Sequence, residues 1–201
     1  MKKAWLFIFL TYSVLSVSAQ SGPSILMAPA TWQFEQFSLP PEFAPSVRYH
    51  GHEELRFSPG WDKKEAADYF TIIWGFRFDD TKRVSQADIK QFLLAYFRGL
   101  CGSTARARHL SPVDTSGISV SMEKKPGADK SAIYDLTLHL FGVFADGAPV
   151  KLNGEIKVME DGAHEKVYLL MVASSKDKTD PVWEPLYKVQ REFVMPSHQV
   201  D

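Results

Sequence analysis

The chain has a single cysteine, Cys101, in 201 residues, and a single asparagine, Asn153. One cysteine excludes a disulfide scaffold, so the fold must be held by its core. Asn153 is followed by Gly154 and Glu155, which leaves no N-glycosylation acceptor. Charge of one sign is also missing, because 23 Lys+Arg face 24 Asp+Glu. That balance gives no electrostatic handle for nucleic acid. Apolar runs long enough for a polytopic membrane protein are lacking as well. There is no nucleophile elbow, glycine-rich phosphate loop, HExxH, paired CxxC or calcium loop, and no motif implies a cofactor.

What is present begins with an export pattern. Lys2 and Lys3 precede an apolar stretch through Leu15, and Val17-Ser18-Ala19 supplies small residues at cleavage spacing. Residues 1–19 therefore read as a signal peptide, and the expected location is secreted or periplasmic, in a bacterial-type protein. Thr11, Tyr12 and Ser13 interrupt the apolar run, so a transmembrane anchor is not expected after cleavage. Loss of Lys2 and Lys3 leaves 21 basic residues against 24 acidic ones. About 180 mature residues can bury roughly 70% of the unfolded surface, enough for one core without a crosslink.

Residues 20–30 read as a flexible leader, 31–195 as one domain and 196–201 as a disordered tail. The segment Leu39-Pro40-Pro41-Glu42-Phe43-Ala44-Pro45 is too proline-rich for a ladder and is expected as a connector or a flap at the sheet edge. Strands are expected over 47–57 and 69–79. In the second, Phe70, Ile72, Trp74, Phe76 and Phe78 share one face. Ser85 and Asp88 form a capping pair, and Ile89, Phe92, Leu93, Tyr96, Phe97 and Leu100 repeat at helical spacing. A helix over about 86–100 follows, ending near Gly99–Gly102, with a loop over 103–117.

Four further strands carry Ile118–Met122, Tyr134–Leu140, Val150–Val158 and Val167–Ala173, separated by glycine-containing turns. The last is apolar on both faces and should be central or covered. A short helix is expected over 185–193. The order argues for an α+β fold, a single antiparallel sheet of about seven strands with one long helix and a short C-terminal helix packed on one face.

The most chemical pattern is Arg48, His50, His52, Glu54 and Arg56 at a spacing of two, which places them on one strand face. His50, His52 and Glu54 match a site of two histidines and one carboxylate, although the flanking arginines repel a cation. The competing reading is the solvated face of an edge strand, and no metal is assigned. Glu53 falls on the opposite, core side and fits the second reading imperfectly. His139, with Asp135 and Thr137, converges on the histidines only if the two strands are neighbours. Arg106, Arg108 and His109, near the end of the long helix, form a candidate anion patch. Cys101 lies on the apolar side of that helix and is expected to be an inert, buried thiol.

Two functions remain. One is a noncatalytic module that binds a small apolar ligand or a protein partner of the envelope, with a groove beneath Phe92, Tyr96 and Phe97. The other is a metal-dependent hydrolase centred on His50, His52 and Glu54. The lack of a catalytic motif favours the first.

Overall fold

In the computed structural model, residues 24–26, 29–126 and 131–194 are described. The expected signal peptide and C-terminal tail lie outside them. The elements are β1 (Gln33–Leu39), β2 (Gly51–Phe57), β3 (Ile72–Phe78), α1 (Gln86–Ala107), β4 (Ser119–Lys124), β5 (Ala132–Phe141), β6 (Pro149–Asp161), β7 (Lys166–Ser174) and α2 (Trp183–Glu192). All seven strands form one antiparallel sheet in the order β1-β2-β3-β7-β6-β5-β4. The α+β architecture is the expected one. No helix among the described residues is long and apolar enough to cross a membrane.

Strand β7 organises the sheet. It sits between β3 and β6, and its two apolar faces feed two cores. Val167, Leu169, Met171 and Ala173 join Trp74, Phe76 and Phe78 of β3 and the stripe of α1 in the larger core. Tyr168, Leu170 and Val172 join Ile73 with Trp183, Leu186 and Val189 of α2 in the smaller one. The two helices therefore lie on opposite faces of the sheet, whereas α2 was expected beside α1. The reason is β7 itself: a strand apolar on both sides needs a cover on each.

The smaller core also takes in Ile25 and Leu26, within the segment expected as a flexible leader. Room for them comes from Gly75, where a Cβ would stand 2.9 Å from both the Ile25 and Leu26 side chains.

Helix α1 starts as expected, with the Ser85–Asp88 capping box, but runs on to Ala107 rather than ending near residue 100. The apolar stripe continues through Cys101 and Ala105, both buried. Gly99 is a notch, not a stop. A Cβ there would lie 2.3 Å from the Phe43 carbonyl oxygen, so the missing side chain lets the helix pass the proline-rich segment. That segment folds back through two turns, Ala44 N–H to Pro41 O and Val47 N–H to Ala44 O. Its Phe43 ring meets Tyr96 edge-on at 5.1 Å.

Candidate functional site

Between α1 and the β1–β3 end of the sheet lies a cavity of about 1210 Å³. Its floor is the core face of β2 and β3, with Leu55, Phe57, Ile72 and Trp74. One wall is α1, through Tyr96, Phe97, Leu100, Cys101 and Thr104. The end of β5 supplies Phe141, the β5–β6 connection supplies Val143 and Phe144, and the proline-rich segment closes one end with Pro40–Phe43. Strand β1 forms the outer rim. Phe37, on its inward face, is 43% exposed, and Phe34 on the other face is 48% exposed, so this edge is where the cavity meets solvent.

The cavity exists because the aromatic stripe of α1 is used unevenly. Its N-terminal part is packed solid: Phe92 sits among Tyr49, Phe76 and Phe78 at ring distances of 6.0, 5.0 and 4.9 Å. Phe92 thus belongs to the core and does not line the cavity. About one turn on, Tyr96 and Phe97 face the open volume. Beyond them the helix presents Cys101 and Thr104, whose small side chains leave the space unfilled.

A buried polar cluster backs this apolar wall. Glu53 is fully buried, and Tyr96 donates its hydroxyl to Glu53 Oε1. Glu53 Oε2 and the Trp74 indole Nε1 are buried without a hydrogen-bond partner. Register explains the grouping. Glu53 stands opposite Phe76 and Leu55 opposite Trp74, so Glu53 and Trp74 are diagonal neighbours on one face. Burial, with a smaller contribution from nearby Glu35, raises the Glu53 carboxyl to about 8, although the Tyr96 hydrogen bond pulls the other way. At neutral pH Glu53 is thus largely an acid with a proton to donate. Burial, reinforced by Glu53, pushes Tyr96 well above the usual phenol range, while the nearby Trp74 N–H opposes that shift. Glu35 is also raised by burial.

Glu35 and Glu42 line the cavity, but no Lys, Arg or His does so among the described residues. Cys101 is buried, and burial raises its thiol pKa, as expected of an inert cysteine.

The other face of β2 has a different task. Glu54, also fully buried, accepts hydrogen bonds from Ser24 Oγ at 2.7 Å and Ile25 N–H at 2.8 Å, and pairs with Arg56 at 2.8 Å. Its carboxylate pins residues 24–26 over the sheet. His52 shares this face and its Nε2 has no partner. Burial and the Arg77 charge lower its pKa, so it is held neutral. Strand β2 begins only at Gly51, so the exposed His50 lies outside the strand that was expected to carry it with His52. Among the described residues, no group of three or more His, Cys, Asp or Glu can hold a metal ion.

His139 does not converge on this face. Strand β5 is separated from β2 by β3, β7 and β6, a span of about 19 Å at normal strand spacing. Arg106, Arg108 and His109 are exposed at the C-terminal end of α1. Cations complement the helix dipole there, and Arg108 donates to the Phe144 carbonyl.

Sequence reasoning placed Tyr96 and Phe97 at the site and noticed that Glu53 was out of place on a core face. It did not find Trp74 or Glu35, because each reads as an ordinary member of an alternating strand. No family model matches the chain, and no curated protein or solved structure matches it.

Proposed function

We propose that this protein is an exported, noncatalytic binding module for a small, largely apolar molecule held between α1 and the β1–β3 end of the sheet. The observation that carries this reading is the large volume left open beside a solidly packed core. Interiors are ordinarily filled to crystal-like density. Ligand sites are typically concave, mostly apolar and provided with a few convergent polar groups. Ten of the lining residues are aromatic, and the polar groups lie at the rim, at Thr104 on the helix wall and at the Trp74–Tyr96–Glu53 corner. Export is supported by the N-terminal pattern of a basic start, an apolar run and small residues at positions 17–19.

The test is thermal denaturation with 2-ethylnaphthalene, a neutral probe of suitable size and shape for aromatic walls. A ligand that binds only the folded state raises the midpoint with concentration. The wild type should show a saturable rise. Thr104→Trp, which projects an indole into the space from the helix, should abolish that rise while remaining folded. An absence of stabilisation up to the solubility limit of the probe counts against the reading.

A further inference from the structure

The cavity wall holds an unmet chemical demand. Trp74 is 2% exposed, lines the cavity and has an indole N–H with no acceptor. An indole N–H can only donate, and leaving a buried donor unpaired is costly. The neighbouring Tyr96 hydroxyl gives its proton to Glu53, and its oxygen, though close enough to Trp74 for the indole to oppose the rise of the phenol pKa, does not receive the indole N–H in hydrogen-bonding geometry. Behind it, Glu53 Oε2 is equally unpaired. Whatever fills the space can therefore gain a hydrogen bond by bringing an acceptor to Trp74.

Charge narrows the choice. Glu35 and Glu42 stand on the lining, and no cationic side chain stands there among the described residues. A carboxylate or phosphate would be desolvated with nothing to pair it, facing groups of its own sign. A cationic head would find the carboxylates at the rim but cannot accept a hydrogen bond from Trp74. A neutral acceptor satisfies both constraints.

Resting on the reading of this cavity as a ligand site, we propose that it selects a neutral apolar molecule bearing a carbonyl-type acceptor, which receives the Trp74 indole N–H beside the Tyr96–Glu53 pair. Fatty acids and other anionic amphiphiles are rejected.

Three near-isosteric probes test this: 2-acetylnaphthalene, 2-ethylnaphthalene and 2-naphthoate, titrated into the ¹⁵N-labelled protein. Trp74→Phe should weaken 2-acetylnaphthalene about fivefold, the loss expected for one neutral hydrogen bond, and leave 2-ethylnaphthalene within about twofold. In the wild type, whose fold is not in question, the Trp74 indole proton should move downfield with the acetyl probe and not with the ethyl probe. 2-Naphthoate should bind at least about tenfold more weakly than 2-acetylnaphthalene. An unmoved indole resonance on saturation with 2-acetylnaphthalene overturns the assignment of the acceptor. Naphthoate binding as tightly as the ketone overturns the charge argument. In both cases the cavity remains a ligand site, whereas failure of all three probes to bind removes the cavity reading along with the inference.

Discussion

The Tyr96 hydroxyl reaches across from α1 to the Glu53 carboxyl on β2, and both side chains are buried. This contact ties the long helix to the sheet beside an open volume. It also gives the core a titratable group whose protonation follows from its burial.

That burial sets a pH dependence. Glu53 has an ordinary value of 4.5 and is raised to about 8 in the fold. The folded state therefore binds a proton more tightly than the unfolded state. Its contribution is complete below about pH 4.5 and is lost as pH rises through about 8, a span worth roughly 4–5 kcal/mol. Urea denaturation of the wild type should show stability falling between these limits, and Glu53→Gln should remove most of that slope. An identical slope in the variant would assign the titration elsewhere.

Removing the phenol tests the same contact from the helix. Tyr96→Phe keeps the ring but leaves Glu53 Oε1 without its donor, so stability should fall by about 1–3 kcal/mol at pH 6. Circular dichroism at the same pH measures it, and an unchanged midpoint would show that the hydrogen bond contributes nothing.

On the opposite face, Glu54 holds Ser24 and Ile25. Glu54→Ala should release residues 24–26 from the smaller core without disturbing α1. Hydrogen exchange at the Ile25 amide is the measurement: slow in the wild type, fast in the variant. Slow exchange in both would mean that the apolar packing of Ile25 and Leu26 suffices.

Gly99 supplies a steric prediction. Gly99→Ala places a Cβ against the Phe43 carbonyl, a backbone atom that cannot rotate away. Destabilisation by about 1–3 kcal/mol is expected from such overpacking, although alanine is the better helix former. A stabilised variant would mean that the 41–45 segment yields freely.

Much of this architecture is readable from side-chain periodicity. The alternation of Phe70–Phe78 and the two apolar faces of Val167–Ala173 placed β3 and β7 correctly, since a strand's period leaves little choice of face. Helix α1 was recognisable from its cap and stripe, but its end was not. Gly99 and Gly102 look like terminators in one dimension and act otherwise in three, Gly99 because a distant segment passes it. The face chosen by α2 depends on which side of β7 still needed a cover, a tertiary fact. The site was less legible. Glu53 stood out as a carboxylate on a core face, yet its partner Tyr96 is 43 positions away. The cavity arises from what Cys101 and Thr104 fail to fill, and periodicity does not register missing volume. The histidine pattern assumed one strand from Arg48 to Arg56, whereas β2 starts at Gly51.

The central claim is that the space beside Tyr96 and Phe97 receives a ligand. Isotope-filtered nuclear Overhauser contacts in the complex with 2-ethylnaphthalene test it most directly. Contacts from the probe to Phe97, Leu100 and Leu140 at one-to-one saturation are the predicted result. Saturable binding with contacts only to outer-surface residues, or no saturable binding at all, would contradict it.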